Sequence, residues 1–159
     1  MIIVLTAIVL AAEAGAGSPE AQRALEVGQV NRLSTSWLGA NVSVRVVVDS
    51  QRTEDVLGAP VDPAQFPESV LVVRRVVISV GDVDLFVPRS IYADLLWVHE
   101  GRLRQQGKVL QLILLGGDGA ESYRVVVEFD KKGVRKRTLF GGESQKPTQE
   151  TIYYKVVIG

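Results

Sequence analysis

From Asn41 the chain alternates with a period of two: Val42, Val44, Val46 and Val48 share one face, while Ser43, Arg45 and Asp49 occupy the other. Successive side chains on extended backbone point to opposite faces, so this pattern predicts a half-buried strand. Val70, Val72, Val76, Ile78 and Val80 keep one phase and predict a second strand. Gly81-Asp82 is a two-residue hairpin signal, and Val83, Leu85 and Val87 read as the returning strand, which puts Ile78 and Leu85 on the core side. Between these runs, residues 58–67 carry Pro60, Pro63 and Pro67. Proline withholds a backbone donor, so this stretch is a connection. Pro88 ends the hairpin, and Ser90 is placed to cap a short helical turn over residues 91–97.

The C-terminal third reads as a meander. Residues 109–115 are apolar on both faces, as in a central strand. Beyond a loop at 116–122, Tyr123, Val125, Val127 and Phe129 alternate with Arg124, Glu128 and Asp130. A turn at 131–133 leads to a strand over 134–140, and after a loop at 141–149 the residues Ile152, Tyr154, Val156 and Ile158 alternate to the end. About seven short strands with one or two helical turns predict an all-β fold, a single antiparallel sandwich or barrel over residues 41–159. Residues 17–40 form a separate N-terminal segment in this reading. There Ser18-Pro19-Glu20 predicts the start of a short helix running to Glu26.

Composition narrows the class. The 159 residues suit one domain, and 47% hydrophobic against 23% charged is a globular balance. Eighteen basic and eighteen acidic residues cancel, leaving no overall field to draw in nucleic acid or an anionic membrane. The absence of cysteine excludes disulfides, thiolate catalysis and cysteine-held zinc. Residues 2–12 form an uncharged apolar run of signal-peptide length, too short to span a bilayer. Ala12-Glu13-Ala14 and Ala14-Gly15-Ala16 both fit the small-x-small cleavage pattern behind it, although no lysine or arginine precedes the run. Residues 1–16 are therefore expected to be a signal peptide, the mature chain to begin at Gly15 or Gly17, and the protein to be exported to the periplasm or beyond.

Two stretches carry a resemblance. Residues 86–95, which include Val87-Pro88-Arg89-Ser90-Ile91-Tyr92-Ala93-Asp94-Leu95, and the loop Gly116-Gly117-Asp118-Gly119-Ala120-Glu121-Ser122-Tyr123 resemble motifs of a group of small uncharacterised exported bacterial β-proteins. The closing Glu150-Thr151-Ile152-Tyr153-Tyr154 fits the same pattern, and the likeness covers residues 70–158. It implies an exported β-protein and transfers no chemistry.

Candidate chemistry is sparse. The glycine-rich loop at 116–119 opens into a strand, whereas a phosphate cradle needs a following helix, so the nucleotide reading fails. Asp118 and Glu121 could offer oxygen ligands to a cation or a ligand, but two carboxylates make a weak metal site and a plain connection is the simpler reading. His99 is the sole histidine, and without a G-x-S-x-G elbow it supports neither a serine triad nor a zinc triad; it reads as a surface residue. Arg89, Tyr92 and Asp94 are ligand-binding candidates with Asp118 and Glu121; in the simpler reading Arg89 and Asp94 bracket the helical turn and pair locally, with Tyr92 and Trp97 packing their rings on the sheet. Glu128 and Asp130 share a strand face at about 7 Å, a separation seen in hydrolytic pairs, yet charged solvent faces are common on strands. Lys131, Lys132, Arg135, Lys136 and Arg137 form the densest charge cluster, with Arg135 and Arg137 expected on one strand face. It is either an anion-binding patch or protection of a sheet edge, and edge protection is preferred because no stacking aromatics interleave.

The expectation is a non-enzymatic exported β domain with a binding or structural role in the cell envelope. Its partner is an unidentified envelope or extracellular one, and the reading includes no cofactor, nucleic acid or membrane span. The alternative is a hydrolase acting through carboxylates around Asp118, Glu121 and Glu128, which requires those groups to converge in a cleft.

Overall fold

The computed structural model describes residues 21–60, 62 and 64–154. The expected signal peptide, the helix start at Ser18-Pro19-Glu20, and the terminal alternation at Val156 and Ile158 lie outside the described residues.

Among the described residues the protein is an all-β sandwich of two antiparallel sheets. The strands are β1 (Ala21–Ala24), β2 (Val30–Trp37), β3 (Ala40–Arg52), β4 (Ser69–Val80), β5 (Val83–Leu85), β6 (Glu100–Gln106), β7 (Val109–Gly116), β8 (Tyr123–Asp130), β9 (Gly133–Gly141) and β10 (Gln149–Ile152). One sheet has the order β1-β6-β7-β8-β9-β10 and the other the order β2-β3-β4-β5. Ten strands stand where about seven were expected, because β1, β2 and β6 gave no readable alternation. A single α-helical turn, α1 (Thr53–Leu57), follows β3. No helix among the described residues is long and apolar enough to cross a membrane.

The alternation of Val42, Val44, Val46 and Val48 has its cause in the core: all four are 0–1% exposed. They belong to one buried cluster with Leu110, Leu112 and Leu114 of β7 and Val125, Val127 and Phe129 of β8. Each such side chain contributes about 1.5–3 kcal/mol by leaving water. The two sheets approach closely at Gly101, where an added Cβ would stand 3.0 Å from Leu33 Cδ1. The Gly81-Asp82 hairpin forms in the expected register, with Ile78 opposite Leu85. Ile78 is fully buried and Leu85 packs partly buried against the core.

Two bulges reverse the facing of the residues beyond them. In β4, Val73 faces Val48 and Arg75 faces Val47, so Arg74 is an extra residue. The core phase is therefore Val73, Val76 and Ile78, and Val70 and Val72 turn to the opposite side from the face expected of them. In β9, Val134 faces Phe129 and Lys136 faces Glu128, leaving Arg135 extra. This reverses the phase beyond it and sends Arg137 inward, away from the face on which Arg135 was expected to join it.

The N-terminal segment joins the sandwich. Residues 21–24 pair with β6, so the helix expected through Glu26 is replaced there by an edge strand. Asn31, fully buried on β2, accepts a hydrogen bond from the Glu26 amide at 2.8 Å and donates to the Glu26 carbonyl at 2.9 Å. These bonds tie the residues after β1 to the start of β2.

Candidate ligand-binding cleft

A cleft of about 610 Å³ opens at the end of the sandwich where β3 leaves and β4 enters. One wall is the α1 segment. Thr53 is 1% exposed, its hydroxyl donates to the Pro67 carbonyl, and its amide donates to the Glu68 carbonyl at 3.0 Å. These bonds fold the proline-rich connection back along the helix. The Asp62 carbonyl then accepts from the amides of Gln65 and Phe66 at 2.9 and 3.0 Å, a turn that positions Phe66 at the cleft. Val56, Leu57 and Val70 complete this apolar wall. Val70 is available to it because the Arg74 bulge has turned it from the core.

The opposite wall is built by Leu96, Trp97, Tyr123 and the loop from Gly117 to Glu121. The Trp97 amide donates to the Leu71 carbonyl at 2.8 Å, and its backbone lies in the left-handed region at φ 57. That region is costly for a bulky residue, and such strain concentrates at functional positions. Trp97 is left 40% exposed, in contrast to Tyr92, which is 8% exposed in the core. The Tyr123 hydroxyl donates to the Leu96 carbonyl at 2.6 Å, fixing the backbone beside Trp97. Burial, reinforced by the nearby Asp94 carboxylate, pushes the Tyr123 phenol well above its ordinary range, so it remains a donor.

The two glycines at the β7 end have separate reasons. A Cβ on Gly116 would overlap the Tyr123 ring, which lies across that position. A Cβ on Gly117 would collide with the Glu121 carbonyl oxygen, and its φ is 74. The loop can therefore fold tightly over residues 119–121 and set Asp118 and Glu121 at the cleft.

The other predicted site residues separate. Glu128 lies across the six-stranded sheet on its outer face, accepting from Gln111 Nε2 at 3.0 Å, so the three hydrolase carboxylates are not assembled in one cleft. Asp130 accepts from Arg135 Nε and Nη2 at 3.0 and 2.9 Å. Arg89 is exposed at the start of a 3₁₀ turn (Arg89–Ile91). Asp94 pairs with Arg137 in place of the local pairing expected with Arg89. Ser90, expected as a cap, makes no side-chain capping bond and lies 3.2 Å from the Tyr153 hydroxyl. His99 is exposed, with Nδ1 3.3 Å from the Trp97 carbonyl oxygen.

The basic cluster disperses. Lys131 and Lys132 are exposed in the β8–β9 turn, and Lys136 lies 3.8 Å from Glu128 and 3.5 Å from Glu150. Arg137 is 3% exposed inside the sandwich. The five charges form no common surface. Among the described residues no cluster of three or more histidine, aspartate or glutamate side chains is arranged to hold a metal ion.

The cleft lining includes Asp118 and Glu121, which the sequence singles out, together with Phe66, Leu57 and Trp97, which it does not group with them. Only the folded chain brings positions 57, 66, 97 and 118 together. Comparison with protein-family models, with curated proteins and with solved structures returns no match.

Proposed function

We propose that the protein is an exported, non-enzymatic binding domain of the cell envelope whose cleft takes a saccharide. The observation that carries this reading is the strained, exposed Trp97 in a cleft that Phe66, Asp118 and Glu121 also line. A sugar ring offers an apolar face to an aromatic platform and hydroxyl donors to carboxylate acceptors around it. A mostly apolar cleft with a few convergent polar groups is the usual form of a small-molecule site. The apolar leader at 2–12 with its two cleavage patterns, and the likeness of residues 70–158 to small exported proteins, support the envelope location.

Titration with neutral and amino-sugar oligosaccharides, followed by tryptophan emission, tests the binding. Trp37 is 4% exposed, so the responsive signal is expected from Trp97. A saturable shift that weakens in Asp118→Asn is expected, and calorimetry should show binding lost in Trp97→Asn. Emission unmoved by every oligosaccharide would overturn the saccharide reading. Intact mass of the protein from its native host tests export: an N-terminus at Gly15 or Gly17 is expected, and a chain retaining Met1 would contradict it.

A further inference from the structure

The outer face of the six-stranded sheet carries a second, differently charged recess that shares only Tyr123 with the cleft lining. On β6, Arg102 and Arg104 point outward, and on β8 Arg124 does the same; β7 runs between them and contributes Ile113 and Leu115. The registers place Arg102 opposite Ile113 and Arg124 opposite Leu115. The result is a trough of about 760 Å³ with an apolar floor and arginines on both sides.

The charges in this trough are cancelled only in part. Arg102 Nε donates to Glu100 at 2.5 Å, so that cation is shared. Arg104 donates through Nε to the neutral side-chain oxygen of Gln111 at 3.0 Å, and Gln111 in turn donates to Glu128. Among the described residues Arg124 has no carboxylate partner: its guanidinium lies 4.4 Å over the Phe140 ring, and its buried Nε meets no acceptor there. Stacking occupies the face of a guanidinium and leaves its edge donors for an acceptor. Among the described residues Glu143 is the one carboxylate in the trough lining. Two arginines without a carboxylate of their own among the described residues, and a third paired with Glu100, thus border one recess.

We propose that this trough binds a phosphate group, free or borne on a larger molecule. A single carboxylate is matched by one guanidinium fork, whereas a dianionic phosphate has oxygens enough to engage arginines from both walls. The apolar floor of Ile113 and Leu115 suits the carbon skeleton that carries such a group. The lysines of the β8–β9 turn are not part of the trough lining.

Calorimetric titration of the protein with inorganic phosphate, and flotation with phosphatidic acid vesicles, whose headgroup is a terminal phosphate, at physiological salt, test the assignment. Saturable phosphate binding is expected, weakened about tenfold or more in Arg124→Gln and in Arg104→Gln, which is at least about 1.4 kcal/mol. The double substitution Lys131→Gln, Lys132→Gln should leave it unchanged. Vesicle binding displaced by inorganic phosphate would identify a lipid headgroup as the source, and phosphate binding without vesicle binding would identify a soluble one. Thermal unfolding checks each variant, and Arg104→Gln serves if Arg124→Gln does not fold. No saturable binding of either probe, or binding unaffected by both arginine substitutions in folded protein, would overturn the proposal.

Discussion

Arg137 reaches from β9 to Asp94 with hydrogen bonds of 2.9 and 2.7 Å, joining an arginine side chain that is 3% exposed to a carboxylate that is 58% exposed. The same guanidinium donates through Nε to the Ile91 carbonyl at 3.0 Å and lies 3.3 Å from Gln149 Oε1. One buried cation thereby fastens the segment that leads to Trp97 onto the six-stranded sheet. Aspartate at position 94 supplies the charge that allows the arginine to be there at all.

Asp94→Asn should consequently destabilise the protein by about 1–3 kcal/mol, below the loss for a fully buried pair because Asp94 is itself partly solvated. Arg137→Met removes the buried charge together with its need for a partner, leaving Asp94 to water. It should be no more harmful than Asp94→Asn. Urea denaturation midpoints measure both, and an Asp94→Asn midpoint equal to the parent's would show that Arg137 needs no counter-charge.

Asp130 gives a pH-dependent prediction. Burial on its own raises its pKa, but hydrogen bonds from the Arg135 side chain and the Lys132 amide, with the Arg135 charge, outweigh this and hold it below the ordinary carboxylate range. A folded pKa below the unfolded one contributes stability that is complete above the unfolded value near about 4 and is lost as pH falls through the folded value. Asp130→Asn should lower stability by only about 0.5–1 kcal/mol at neutral pH, since both partners are partly exposed. The gap from the parent should close well below pH 4. Denaturation curves at the two pH values decide it, and a gap that widens in acid would refute the coupling.

The valine alternation of β3 and the apolar run of β7 were legible because their partners are other apolar side chains. β2 was hidden because its inward positions include Asn31, a polar residue satisfied by backbone groups, between the surface and Leu33. β6 was hidden for a related reason: one of its inward positions is Gly101, whose place is filled by Leu33 and Leu25. Missing β6 also concealed the arginine trough, since Arg102 and Arg104 become one face only once the backbone is extended. The bulges at Arg74 and Arg135 leave no mark in the alternation, yet they decide which way Val70 and Arg137 point. Local pattern therefore read the regular strands well and the site poorly, because the cleft gathers α1, the proline-rich connection, Trp97 and the β7–β8 loop from distant parts of the chain.

The remaining prediction separates strain from function at Trp97. A left-handed backbone at φ 57 costs a bulky residue about 1–3 kcal/mol, and asparagine adopts it more readily. Trp97 is 40% exposed, so replacing it forfeits only part of the packing that a buried tryptophan would supply. These effects oppose each other in Trp97→Asn. Its melting temperature should stay within about 4 °C of the parent's, the shift that about 1 kcal/mol produces in a domain of this size. Oligosaccharide binding should nevertheless disappear, because the platform beside Phe66 and Asp118 is gone. Stability and binding would then move independently, as expected where a strained residue is retained for what it presents to a ligand. A large fall in melting temperature with oligosaccharide binding intact, the latter measured by calorimetry, would show instead that Trp97 serves the fold.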